Sequence, residues 1–248
     1  MAPQSTGVRR RAHVDLALIV SNAAQMAQAS GTSLTDSTAD LRSDAYGHGL
    51  LPVARALKDA GVGGFLVSRF EDAAALADEG ILGSSVGGAP QTHDAGAHSG
   101  GALLGPALLG LDPALPSAPA MRLVGEVVAF KHVSADRGVS YGYTYRTAQP
   151  TTLALVALGF ADGIARVASN KAPVLVGGFT GRVTGRVAMD QFVVDLHGAG
   201  AAPGDPAVLF GDPGRGEPSI LDWADAIGIA APVITSRLGR RIERVHSA

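Results

Sequence analysis

Between residues 15 and 29, apolar side chains fall at Leu16, Ile19, Val20, Ala23 and Ala27. That is one stripe of a helix, with Asp15 placed to cap its start. The same reading predicts a second helix over residues 51–60, stopped by Gly61, and a third over 71–79, stopped by Gly80. Phe65-Leu66-Val67 is a short unbroken apolar run, the pattern of a strand buried on both faces. Strands and helices alternating in this rhythm predict βαβ units and a parallel sheet. Residues 31–40 break the rhythm: five Ser/Thr and two Asp stand where the strand before residue 42 is due, and they predict a poor core strand.

Residues 83–120, rich in Gly, Ala, Pro and Ser with little periodicity, read as a linker. Beyond them the period shortens. Residues 121–130, 151–158, 173–176, 182–196 and 206–210 read as strands separated by Gly- and Pro-bearing turns. Residues 219–227 read as a short helix with Ser219 as N-cap and Asp222 three residues on. The predicted fold class is therefore α/β followed by all-β.

Composition narrows the function. The chain has 248 residues, 46% of them apolar, and a formal charge of −2, enough to bury one large or two small cores. So even a balance argues against nucleic acid or an anionic membrane as partner, since both call for a basic surface. No apolar stretch is long enough to span a bilayer. Arg9, Arg10 and Arg11 look like the start of an export signal, but His13 and Asp15 interrupt the apolar segment that should follow, and the expected location is cytoplasmic. There is no cysteine, which removes disulfides, thiolate metal sites and thiol catalysis together. The histidines include no pair at helical metal-ligand spacing, so no metal is expected. Lysine occurs only at 58, 131 and 171, leaving few candidates for amine chemistry.

Four blocks carry candidate chemistry: Arg42-Ser43-Asp44-Ala45-Tyr46-Gly47-His48-Gly49, then Val139-Ser140-Tyr141-Gly142-Tyr143-Thr144-Tyr145-Arg146, then Gly159-Phe160-Ala161-Asp162-Gly163, then Gly185-Arg186-Val187-Ala188-Met189-Asp190-Gln191. In this order and at these separations the chain resembles the alanine racemases, which use pyridoxal phosphate (PLP) to invert the α-carbon of alanine. Residues 12–81, with Asn22 and the Ser68-Arg69-Phe70-Glu71-Asp72-Ala73 segment, resemble the start of that family's (β/α) barrel. Leu108-Leu109-Gly110-Leu111-Asp112-Pro113 resembles the barrel's end, and residues 121–245 resemble its C-terminal β domain. The resemblance thus implies a partial barrel over 1–88, a linker with a remnant of the barrel end over 89–120, and the β domain over 121–248. A complete barrel takes roughly 250 residues. The middle strands are expected to be missing between Ala89 and Leu103, leaving parallel edges that need covering.

The resemblance also implies roles. Arg42 stands where the family has the lysine that holds PLP as a Schiff base. A guanidinium stays protonated at physiological pH, so it supplies neither a nucleophilic amine nor a base. Tyr141 matches the catalytic tyrosine that reaches in from the second subunit of a dimer. Tyr46 matches the tyrosine bonded to the cofactor phosphate, and Arg240 stands where some members have a second phosphate-contacting tyrosine. Met189 and Asp190 match the segment lining the substrate site. Phe160 replaces a tyrosine of the access channel, Leu103 or Leu104 stands near the arginine facing the pyridine nitrogen, and Leu109 replaces a tyrosine. The implied function is interconversion of L- and D-alanine for cell-wall precursor supply, with PLP as cofactor, an amino acid as substrate and a homodimer as assembly. The alternative is a non-catalytic chain, acting as a binding or scaffold protein or donating its β-domain half-site to an intact racemase in a heterodimer.

Overall fold

A computed structural model describes residues 9–87, 101–115 and 117–248. These fall into two compact units: an α/β unit of residues 13–121, 231–236 and 246–248, and a β unit of residues 9–12, 122–230 and 237–245.

The chain enters through β1 (Arg10–Asp15) and α1 (Leu16–Ala29), where the Asp15 carboxylate accepts from the Leu18 amide. In the α/β unit there follow β2 (Thr38–Asp40), α2 (Arg42–Gly47), α3 (Leu50–Asp59), β3 (Gly64–Val67), α4 (Phe70–Asp78), β4 (Ser84–Val86) and β5 (Leu103–Leu104). The strands form a wholly parallel sheet in the order β4-β3-β2-β5, as the βαβ rhythm predicts. Its core is built from Ile19, Val53, Leu57, Phe65, Val67, Leu76 and Ile81, all essentially inaccessible.

Two expectations are corrected here. The polar stretch before residue 42 is not one weak strand. Most of it is a turn in which Ser33 Oγ donates to Asp36 and Ser37 Oγ donates to the Ser33 carbonyl, and only Thr38–Asp40 enters the sheet. The stretch read as a linker is folded where it is described. Leu103–Leu104 pairs with β2, and the 3₁₀ turn Pro106–Leu109 buries Leu108 and Leu109. Asn22, on α1, donates to the Leu108 and Ala118 carbonyls and anchors this return. Without a repeating pattern, such packing leaves no periodic trace. The site of the missing strands, between Ala89 and Leu103, lies mostly outside the described residues.

The β unit contains β6 (Met121–Val133), β7 (Gly138–Val139), β8 (Tyr145–Arg146), β9 (Thr151–Val156), β10 (Pro173–Val176), β11 (Phe179–Thr184), β12 (Phe192–Asp195), β13 (Pro206–Phe210), α5 (Ile220–Ile227) and β14 (Glu243–Ser247), with α6 (Ala231–Ser236) belonging to the α/β unit. Strands run β13-β10-β11-β12-β9-β6-β1-β14, and β13 also pairs β6, so six antiparallel strands close on themselves. Val127, Val156, Val174, Val183, Phe192 and Phe210 fill this core. Trp223 on α5 lies edge-on to Phe210 and donates its indole N–H to the Pro173 carbonyl. Ser219 and Asp222 form the predicted capping box.

Two further corrections concern long-range pairing. β1, expected at the start of the barrel, lies between β6 and β14 in the large sheet instead. The segment 182–196 is two strands, β11 and β12, joined by the turn that carries Met189 and Asp190. Among the described residues no helix is long and apolar enough to cross a membrane.

Candidate functional site

In the α/β unit, β2 ends on Asp40, which is 1% exposed. Two residues on, the Arg42 guanidinium faces it in a fork: Nε lies 2.8 Å from Oδ1 and Nη2 2.5 Å from Oδ2. The Arg42 amide donates to Oδ1 at 3.2 Å and the Tyr46 hydroxyl to Oδ2 at 2.6 Å. Arg42 and Tyr46 are themselves buried. Bidentate, charge-assisted bonds of this kind are the strong class. The hydrogen bonds it donates to Asp40 hold the Arg42 guanidinium above its ordinary pKa. Burial, then the Asp40 carboxylate, push the Tyr46 phenol up as well, so it remains a neutral donor.

The link between these residues is unusual. Ser43, Asp44, Ala45 and Tyr46 all have φ between 51° and 59°, one turn of left-handed helix without a glycine. Such a conformation costs roughly 1–2 kcal/mol per residue, and several contacts hold it. The Asp44 side chain accepts from the Leu50 amide at 2.7 Å and Ser68 Oγ accepts from the Ser43 amide at 2.9 Å. His48 Nδ1 donates to the Ala45 carbonyl at 3.0 Å, which requires the proton on that nitrogen. Gly47 packs on α6 so closely that a Cβ would collide with the Thr235 carbonyl.

The β unit holds the other candidates. The hairpin β7–β8 pairs Val139 with Tyr145 and carries Tyr141 and Tyr143 on its tip, 71% and 65% exposed. Its base is tied down by Asp195, which is 3% exposed. Asp195 accepts from Tyr145 Oη at 2.8 Å, Thr151 Oγ1 at 2.6 Å and the His197 amide at 3.0 Å. Burial alone would push the Asp195 carboxyl up, but these donors outweigh it and hold the pKa below its ordinary value. The Tyr145 phenol is pushed up to about 12 by burial and by Asp195. Beside the hairpin opens a cleft of about 510 Å³, lined by Ser140, Tyr141, Tyr143, Leu155, Gln191 and Phe192 among others.

A second clamp sets the 188–190 turn. The Phe160 and Ala161 amides donate to the Ala188 and Met189 carbonyls at 3.0 and 2.9 Å. Arg241 spans the two motifs, with Nη1 2.6 Å from Asp190 and Nε 3.0 Å from the fully buried Asp162. Asp162 also accepts from the Gly159 amide at 2.8 Å.

The sequence profile of the alanine racemase C-terminal domain matches residues 120–246, and that of the N-terminal domain matches residues 14–98. The chain belongs to the alanine racemase family. The alanine racemase of Beutenbergia cavernae is 45% identical over 188 residues, covering 73% of this chain and 49% of the relative. That of Streptomyces coelicolor is 52% identical over 128 residues, covering 52% of this chain and 33% of the relative. The chain thus spans half or less of the length of these curated relatives. Among solved structures, the alanine racemase of D-cycloserine-producing Streptomyces lavendulae superposes with a TM-score of 0.86 at 26% identity, reaching across 98% of each chain. The fold is shared with the Bartonella henselae alanine racemase, solved with covalently bound PLP, at a TM-score of 0.78 and 18% identity. Members of the family use PLP.

Within each unit the structure sorts the expected site residues. Arg42 and Tyr46 come together, on Asp40. In the β unit Tyr141 borders the cleft, while Met189 and Asp190 share the clamped turn, Met189 being 56% exposed. Arg240 is an exposed residue, and its neighbour Arg241 is the one that engages Asp162 and Asp190. Asp40 and Arg241 escaped the sequence reading, and Asp162, although inside a quoted block, was given no role. The α/β unit does not fit a cofactor held as the family holds it. Arg42, expected at the family's lysine position, is a guanidinium locked on Asp40, and Tyr46, expected to bond a phosphate, bonds that same carboxylate.

Proposed function

We propose that this chain takes part in the interconversion of L- and D-alanine as the donor of a β-domain half-site to an intact racemase chain. Tyr141 acts as the acid/base group on one face of the substrate, and the Met189–Asp190 turn lines the substrate site. The partner supplies the PLP-bearing barrel, the substrate is alanine, and the setting is cytoplasmic. One contrast carries the reading: Tyr141 is exposed on a hairpin braced by Asp195, whereas Arg42 is buried in an ion pair. The domain boundaries near 88 and 121 form part of the proposal, with β1 added to the β domain because it lies between β6 and β14. Family membership also supports a second reading, in which the chain itself binds PLP and racemises alanine.

Complementation in trans separates the two. An intact racemase is disabled by changing its own counterpart of Tyr141 to phenylalanine, then mixed with this protein. The half-site reading expects racemisation to return, and to vanish again with Tyr141→Phe in this chain. No recovery, together with no co-elution on sizing, ends that reading. Racemisation by this protein alone with added PLP establishes the second.

A further inference from the structure

We propose that Asp40, and not the loss of the lysine alone, closes the α/β unit to a phosphorylated carbonyl cofactor, by serving as a built-in anion for Arg42 and Tyr46. The inference deepens the proposed function, resting on its view that this chain does not carry its own PLP. Asp40 is buried and accepts four hydrogen bonds on its two oxygens, from Arg42 Nε, Nη2 and amide and from the Tyr46 hydroxyl. An ionised carboxylate offers about four lone-pair sites, so its capacity is filled. The guanidinium charge faces the Asp40 carboxylate inside a buried cluster. An incoming phosphate would meet a fixed negative charge, and both side chains that would face it are already held by Asp40.

The same geometry predicts what a restored amine would do. An ammonium beside a buried carboxylate is favoured in its charged form. Arg42→Lys alone therefore leaves a protonated, non-nucleophilic group on Asp40. Removing the carboxylate at the same time releases both the amine and the Tyr46 hydroxyl.

The test uses the full chain as wild type, Arg42→Lys, and Asp40→Asn/Arg42→Lys, with Asp40→Val/Arg42→Lys as a second double variant should the first not melt cooperatively. Each is incubated with PLP, gel-filtered and treated with borohydride, and pyridoxyl label is located by mass spectrometry. Thermal midpoints are recorded with and without inorganic phosphate. Wild type and Arg42→Lys should stay at background. A folded double variant should take up at least about tenfold more label at position 42, the gain in free amine that one pKa unit gives. Phosphate should raise the midpoint of the double variant only. Equal label on single and double variants, or none on either double variant, overturns this inference alone. Label retained by the wild type overturns it together with the cofactor half of the proposed function.

Discussion

The Arg42 turn and the Tyr141 hairpin both carry polar side chains in strained backbone, yet they spend those side chains in opposite ways. On the turn, four consecutive non-glycine residues sit at positive φ, and the last of them, Tyr46, together with the preceding Arg42 points at a buried carboxylate of the same segment. On the hairpin, Ser140 and Tyr143 have positive φ, but the buried carboxylate, Asp195, grips the base and leaves the tip in solvent. Strain held by a satisfied internal cluster makes a structural element. Strain held from below, with an exposed phenol above, keeps a side chain available to another molecule. Family resemblance alone would give the two motifs equal standing.

The largest effect should come from breaking the inward-facing cluster. Asp40→Ala removes the carboxylate that pairs with the buried Arg42 guanidinium and should cost about 3–5 kcal/mol, read by urea unfolding. A loss near zero would mean that Arg42 reaches solvent and that the two regions are alike. Next is Gly159→Ala, whose Cβ would run into the Met189 carbonyl. It should cost about 1–3 kcal/mol and disturb the Met189–Asp190 turn.

Acid should test the hairpin's footing. Because folding lowers the Asp195 pKa, its stabilisation is complete above the ordinary aspartate value of 3.8 and is lost as pH falls through the depressed one. Thr151→Val, which removes one donor, should cost about 1 kcal/mol near neutrality and flatten that acid limb. A pH-independent cost would contradict the role given to Asp195. The smallest effect on stability belongs to Tyr141→Phe, which should stay within about 0.5 kcal/mol because the hydroxyl sits in solvent. A larger loss would make Tyr141 a structural residue like Tyr46.

What was legible in the sequence was local. The Asp15 cap of α1 and the Ser219–Asp222 box of α5 act over three residues and could be read directly. Alternation picked out β9, β10 and β13 for the same reason. Pairing over long separations could not be read: β1 joins the large sheet, and Arg241 reaches Asp162 and Asp190 from far along the chain. The Leu103–Leu104 strand and the Leu108–Leu109 turn were hidden because they are too short to show a period. At the candidate site, motif matching pointed to Arg42, Tyr46 and Tyr141 alike, but only the geometry separates the buried pair from the exposed tyrosine.

The central claim is that the cofactor half of this family member is closed by its own side chains while the β half stays open. Its most direct test is the fate of PLP on the wild-type protein, which has only Lys58, Lys131 and Lys171 to form an adduct. After incubation, gel filtration and borohydride reduction, no lysine should carry pyridoxyl label above an unfolded control, and the absorbance of the protein should be that of the untreated chain. Stoichiometric label on one lysine, surviving filtration and accompanied by the absorbance of a bound imine, would contradict the account.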